Sequence, residues 1–171
     1  MYNLFIFIFY SISGFVFEKL IGFVFDNSCD SGFMYGPYTP IYGICILLLF
    51  LLFDKYKDIK PKFKKYFVMF ISTFIFLLFA ELMGAELLKL VLDREMWNYE
   101  NLPLHIGKYI SIEITTVWTF LTIIIYKYVK PLTDKLYKKI PKGVIIGILI
   151  IMILDFIIYM LLHFFKFYVA Y

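Results

Sequence analysis

The apolar residues of this chain fall into long blocks separated by short polar segments, not into the alternating pattern of a half-buried strand. A hydrocarbon core of about 30 Å needs about 20 helical residues to cross it. The blocks therefore predict an all-α, polytopic transmembrane helix bundle of about five spans, forming one integral membrane domain over residues 1–171. The predicted spans are Tyr2–Phe25, Tyr38–Phe53, Tyr66–Leu88, Tyr109–Tyr126 and Val144–Phe165.

The second predicted span is the shortest, and an unusual motif, SGFMYGPYTPIYG at residues 31–43, leads into it. Its prolines lack a backbone N–H and restrict the residue before each of them, while its glycines allow tight turns or close contact with another backbone. Irregular backbone at membrane depth is tolerated only when it is buried in protein or lines a wet cavity. We therefore expect Tyr35–Tyr42 to form a broken or re-entrant start to this span, packed against the first and third spans near Glu18 and Glu81. The alternative is a plain turn followed by a helix with proline in its first turn.

Composition supports the membrane prediction and leaves no room for a large soluble domain. Hydrophobic residues make up 63% of the chain and its mean hydropathy is +0.84, whereas soluble domains contain roughly 45–50% apolar residues. The first span lacks a basic n-region and a small-residue cleavage site, so we expect it to be retained. The two cysteines, Cys29 and Cys45, form neither a disulfide framework nor a metal-ligand pattern. We predict no metal site and no cofactor.

Positive charge is concentrated in alternate loops. Residues 54–65 and 127–142 carry six lysines each, whereas residues 26–37 carry no basic residue. The positive-inside rule then predicts a cytoplasmic N-terminus, an outer C-terminus and a multi-pass protein of the plasma membrane. The lysine-rich loops are either topology signals that contact lipid headgroups or docking sites for a cytoplasmic ATPase. Arg94 is the only arginine among the 17 basic residues, which argues against nucleic-acid binding.

Five acidic residues fall inside predicted spans, where ionisable groups are costly and indicate function or pairing. Asp155 lies near the middle of the last span, and the other acids lie in the outer half of the bilayer. Glu18 shares a helix face with small residues, which would set it against protein and not lipid. These positions predict an acidic pocket, open to the outside, for a cation or polar solute; alternatively, the acids only hold the bundle together. The pocket candidates are Glu18, Glu81, Glu113, Asp155 and Tyr159.

The second outer loop reads MWNYENLPLHIGKYI. Trp97 and Tyr99 are expected to anchor it at the membrane interface, where aromatic side chains with a polar atom are favoured. Pro103 is predicted to end the segment before it, and Gly107 to open the next helix.

The motif GFMYGPYTPIYG, Glu81 and the outer loop together resemble the CmpB-like family of bacterial ABC-transporter type IV membrane proteins. The similarity covers residues 11–118, although Lys89 and Asn98 stand where the family pattern has carboxylates. It implies a permease-like subunit, and because the chain has no Walker-type phosphate loop, a separate ATPase would have to supply the energy. The motif residues concerned are Tyr35, Gly36, Pro37, Pro40, Tyr42, Gly43, Trp97, Tyr99 and Trp118.

Three functions remain open at this stage. The first is a transporter membrane subunit with an acidic pocket in the outer half of the bilayer. The second is a non-catalytic scaffold or sensor. The third is an enzyme or enzyme accessory at the outer leaflet, for which the sequence offers no nucleophile–base pair or metal-ligand set and no catalytic residue.

Overall fold

A computed structural model describes residues 1–24, 34–93, 95 and 97–169 of this all-α membrane helix bundle. Residues 31–33 of the motif, Phe25 at the end of the first predicted span, Cys29 and Arg94 lie outside the described residues. The elements are α1 (Tyr2–Val24), α2 (Pro40–Lys55), α3 (Lys62–Leu92), β1 (His105–Ile106), β2 (Ile110–Ser111), α4 (Ile112–Ile124), a π-helical segment (Ile125–Val129), α5 (Lys130–Tyr137) and α6 (Lys142–Val169).

Four of the predicted spans correspond to helical stretches long and apolar enough to cross a membrane within the described residues. The second, α2, has only 16 residues, in agreement with the short second block. The fourth differs most from its prediction. It begins at Ile112 instead of Tyr109 and continues through the π-helical segment and α5 to Tyr137. The apolar block behind the prediction ends at Tyr126, whereas the helix itself continues into the lysine-rich segment.

The chain divides into two compact units. The first contains residues 1–44 and 136–171, so that α1, the start of α2 and α6 belong together. Helices α1 and α6 pack against each other. Near the predicted cytoplasmic end, the Tyr137 ring makes an edge contact with Tyr2 and lies beside Phe5.

The second unit contains residues 45–135. Its helices α3 and α4 make the most extensive helix–helix contact in the described part of the chain. Leu49, Phe53 and Met69 form a fully buried cluster, against which the ring of Tyr126 and other apolar side chains pack. This cluster therefore joins the second half of α2 to α3 and to the end of α4.

A short antiparallel hairpin, which was not predicted, lies in the loop between α3 and α4 of the second unit. His105 pairs with Ser111 and Ile106 with Ile110. Gly107 forms part of its turn with a φ of +61°, a left-handed conformation that glycine adopts without a Cβ clash. The prediction that Gly107 opens the next helix was therefore wrong. The helix begins at Ile112, and the side chain of Ser111 caps it by accepting the N–H of Ile114.

Candidate functional site

The motif before α2, residues 35–43, combines an irregular stretch with the first turn of a helix. The N–H of Tyr38 donates to the carbonyl of Gly36 at 2.9 Å, closing a three-residue turn around Pro37. Pro40 is the first residue of α2, where its missing N–H would have had no helical partner. The motif is therefore non-helical up to Thr39 and helical from Pro40 onwards.

Asp155 of α6 accepts hydrogen bonds from the irregular stretch. Its Oδ2 accepts the N–H of Gly36 at 2.9 Å and the hydroxyl of Tyr38 at 2.5 Å. Its Oδ1 accepts the N–H of Tyr35 at a longer 3.4 Å. The carboxylate thus takes the place of the water that would otherwise satisfy these donors, as backbone inside a membrane requires.

Contacts with α1 place the motif beside the middle of that helix. The N–H of Thr39 donates to the carbonyl of Ser11 at 2.9 Å. A Cβ added at Gly43 would overlap the Oγ of Ser11 and the carbonyl oxygen of Phe7, so the two backbones approach as closely as glycine allows. Ser11 lies near the middle of the 23-residue α1. The first residues of α2 therefore lie beside the middle of α1, and an irregular stretch precedes them, as expected for a broken start. Pro40 in the first turn of α2 agrees with the alternative, a plain turn followed by a helix.

Glu18 receives one hydrogen bond from the motif and keeps one buried oxygen without a partner. The hydroxyl of Tyr42 donates to Glu18 Oε1 at 2.6 Å. The ring of Tyr42 lies against Gly14, one turn before Glu18, where any Cβ would overlap it. Glu18 Oε2 is buried and has no hydrogen-bond partner among the residues that the structure describes, and the same holds for the hydroxyl of Thr39. Buried polar atoms are normally paired, so these two atoms mark places where a guest could bind.

Aromatic rings extend from the motif along α6. The ring of Tyr35 makes an edge contact with Tyr159 at 5.8 Å between centroids, and Tyr159 stacks on His163 at 6.1 Å. Asp155, Tyr159 and His163 follow one another at four-residue intervals along α6, and the motif packs against the first two of them.

The remaining acidic candidates, Glu81 and Glu113, lie in the second unit. Thr115 Oγ1 donates to Glu81 Oε2 at 2.9 Å. Glu113 accepts the hydroxyl of Ser111 at 3.2 Å and lies in the first turn of α4, where the helix dipole favours a negative charge. The predicted position of Glu81 beside the motif stays a prediction.

The outer loop is held together by hydrogen bonds and by ion pairs around Glu95. Lys108 Nζ lies 2.5 Å and Lys89 Nζ 3.6 Å from this carboxylate. The indole N–H of Trp97 donates to the carbonyl of Tyr109 at 3.2 Å, and the N–H of Tyr99 donates to the carbonyl of Lys108 at 2.8 Å. The two aromatic residues predicted as interface anchors therefore fasten the loop to the turn of the hairpin, residues 107–109.

Acid should loosen this loop. The hydrogen bond from Lys108 holds the pKa of Glu95 below its usual range. Because the pKa is lower in the folded protein, the stabilisation is complete above the unfolded pKa of about 4.3 and is lost as the pH falls through the folded value. We expect the Trp97 fluorescence of a Trp118→Phe protein to change in this acid range. The same titration of a Glu95→Gln variant should lack that step, and an identical step in both proteins would contradict the assignment.

The structure brings together only some of the side chains that the sequence suggested as members of one pocket. Two candidates, Glu18 and Asp155, contact one motif, with Tyr159 beside it. Tyr38 was missed, although it stands inside the motif between the two prolines.

No group of three or more histidine, cysteine, aspartate or glutamate side chains within the described residues could hold a metal ion. A row of buried threonines in α4 was also missed, although its spacing was visible: Thr115, Thr119 and Thr122.

Comparison with known proteins gives one match. The family model described as "Putative ABC-transporter type IV" matches residues 5–164, which is nearly the whole chain. No curated protein and no solved structure matches the chain significantly.

Proposed function

The chain belongs to the ABC-transporter type IV family over residues 5–164, and from this premise we propose that it is a permease-like membrane subunit. It binds a cation or a polar solute at an acidic pocket in the outer half of the plasma membrane, and a separate cytoplasmic ATPase supplies the energy. The N-terminus is cytoplasmic and the C-terminus lies outside. The observation that carries this proposal is the half-paired carboxylate of Glu18 beside an irregular helix start.

The irregular stretch before α2 supports a transport function for a physical reason. In many secondary transporters, helices interrupted near the midplane expose backbone groups that bind substrate or ions. Here the N–H groups of Tyr35 and Gly36 already donate hydrogen bonds to Asp155. The group left for a guest is therefore the carboxylate of Glu18, which favours a cation or a hydrogen-bond donor over an anion.

The lysine-rich segments are the proposed docking surface for the ATPase. Lys57 and Lys60 are exposed in the segment between α2 and α3, and Lys64 is exposed in the first turn of α3. Lys130 is less free to bind a partner, since it pairs with Asp134 at 3.3 Å. An acidic surface on the partner would complement the exposed lysines.

Co-purification tests the partner. A tagged chain isolated in mild detergent should bring an ATPase with it, and changing Lys57, Lys60 and Lys64 together to glutamine should release that ATPase. Lys89→Gln, on the predicted outer side, serves as the matched control and should retain it. A wild-type preparation free of any ATPase would contradict the partnership and favour the scaffold or sensor function.

Ligand-dependent stabilisation tests the pocket. A ligand that binds only the folded protein raises its thermal stability. We expect at least one of a panel of inorganic cations, organic ammonium ions and neutral polar solutes to do so. Glu18→Gln should weaken its binding at least about tenfold, or about 1.4 kcal/mol, because the carboxylate charge is lost. Glu86→Gln, an exposed glutamate of α3, should bind as the wild type does. Equal binding by the Glu18 variant and the wild type would exclude Glu18 from the pocket.

A further inference from the structure

A row of hydroxyl side chains on one face of the fourth span connects two acids of the second unit. The members of this threonine row are Thr115, Thr119, Thr122 and Tyr126. Their spacing of four, three and four residues keeps them on one helix face. Thr115 donates to Glu81 at 2.9 Å at one end, and Tyr126 donates to Asp54 at 2.9 Å at the other. The row is about 16 Å long, roughly half the thickness of the hydrocarbon core.

The threonines of the row offer acceptor oxygens to whatever lies beside them. The hydroxyls of Thr119 and Thr122 donate to the carbonyls four residues earlier, at 2.7 Å and 2.8 Å. Thr115 has one hydroxyl proton for two acceptors, Glu81 at 2.9 Å and the carbonyl of Ser111 at 2.8 Å. The oxygen lone pairs remain available. Successive members are about 5–6 Å apart on a helix surface, a spacing that one water can bridge with two hydrogen bonds of about 2.8 Å each.

Thr73 of α3 adds an independent sign that the row accommodates a hydrogen-bonding guest. Its side chain is fully buried, and within the described part of the chain its hydroxyl has no partner. A threonine in a membrane helix normally bonds back to its own helix. Thr73 lies one turn after Met69, which packs in the same cluster as Tyr126. It also lies two turns before Glu81, which accepts the hydrogen bond from Thr115. Thr73 thus faces α4 between the two ends of the row.

The inner end of the row has an unusual backbone. Tyr126 belongs to the π-helical segment Ile125–Val129, and such wide turns are often found at functional positions. The rings of Phe50 and Phe53 pack around Tyr126 with centroids 5.4 and 5.0 Å away. Lys130 Nζ, which also pairs with Asp134, lies 5.9 Å from the Tyr126 ring. Asp54, which Tyr126 contacts, is exposed and can exchange protons with water.

From these contacts we infer that the threonine row is a path for protons between Glu81 and Asp54. A proton leaves the carboxyl group of Glu81, each bridging water or hydroxyl along the row accepts one proton and releases another, and the carboxylate of Asp54 accepts the last. Glu81 ends as a carboxylate and Asp54 as a carboxyl group. The complete burial of Thr73, Thr115 and Thr119 excludes hydrated ions, which leaves the proton as the species carried. The path uses groups of the second unit alone and does not depend on the proposed function.

Proton flux into liposomes tests the path. The purified chain is reconstituted with a pH-sensitive dye inside, and a potassium diffusion potential set with valinomycin drives protons inward. Wild-type vesicles should acidify faster than protein-free vesicles. Thr73→Val, which keeps the side-chain shape but removes the hydroxyl, should reduce the protein-dependent flux at least tenfold, and Thr119→Val should do the same. Thr116→Val is the matched control, since Thr116 bonds back to Ile112 but lies outside the row.

Thermal unfolding in detergent separates loss of conduction from loss of folding. Thr73→Val removes a buried hydroxyl without a partner, so its unfolding temperature should equal or exceed that of the wild type. A folded Thr73→Val protein with reduced flux supports the path. Wild-type flux no greater than that of protein-free vesicles would overturn it, and so would unchanged flux in both the Thr73 and the Thr119 variants; the row would then serve helix packing alone.

Discussion

Replacing Asp155 by alanine should cost about 3 kcal/mol or more of the free energy of unfolding. The substitution leaves the N–H of Gly36 and the hydroxyl of Tyr38 without their acceptor, and each unsatisfied buried donor costs about 1–3 kcal/mol. Removing a charge from a membrane span is itself stabilising, but this gain offsets only part of the lost free energy of unfolding. Asp155→Asn keeps one acceptor oxygen and should cost less. Thermal or denaturant unfolding in detergent measures the series.

A double-mutant cycle decides whether the loss comes from the motif. Tyr38→Phe removes one hydroxyl and keeps the ring, so it should destabilise the wild type by about 1.5–3 kcal/mol, the range for hydrogen bonds to a charged group. In the Asp155→Ala protein the same change should cost almost nothing, because the acceptor is already gone. Equal costs in both backgrounds would mean that Asp155 acts elsewhere.

The fold was readable from the sequence where one signal decides it. Apolar blocks predicted the helices because a bilayer demands about 20 apolar residues in each span, whatever the neighbouring helices are. Hydropathy does not predict where a helix ends when the helix extends beyond the apolar core of the membrane. The fourth span continues for eleven residues beyond Tyr126, into a segment whose lysines are outside the apolar block but do not stop a helix. The hairpin at His105–Ser111 was missed because two-residue strands carry too few positions for any periodicity.

The candidate site was readable only in part, because sequence separation conceals which helices are neighbours. The small residues Gly14 and Gly43 pointed to close packing, and Tyr42 does reach Glu18. The bond from Tyr38 to Asp155 joins positions 117 residues apart, and a single sequence contains no signal for that pairing. Asp155 was singled out only because a carboxylate in the middle of a span needs a reason.

The threonines escaped notice for a different reason. Threonine is neither strongly apolar nor charged, so a hydropathy profile averages it into the span. Their one-sided spacing in α4 becomes meaningful only when Glu81 and Asp54 are found at the two ends. Their polarity is concealed further by the bonds to their own helix, which satisfy each hydroxyl proton locally.

Gly43→Ala should destabilise the protein by about 3 kcal/mol, near the upper end of the usual range for overpacking. The new Cβ would overlap the carbonyl oxygen of Phe7 as well as the Oγ of Ser11. A side chain can rotate away from such an overlap, but a backbone carbonyl in the middle of α1 cannot. Helices α1 and α2 would have to separate at this point, which would also lengthen the hydrogen bond from Thr39 to Ser11. Thermal unfolding in detergent measures the loss.

Two further variants separate crowding from the general effect of adding a methyl group. At Gly147 of α6 no heavy atom of the described residues lies near an added Cβ. Gly147→Ala should therefore be neutral or should stabilise by up to about 1 kcal/mol, the difference in helix propensity. Ser11→Ala combined with Gly43→Ala removes one of the two overlaps and should recover part of the loss, while the Phe7 carbonyl keeps the rest. If Gly43→Ala were as stable as Gly147→Ala, α2 could not begin in close contact with the middle of α1, and the broken start of this helix would have to be given up.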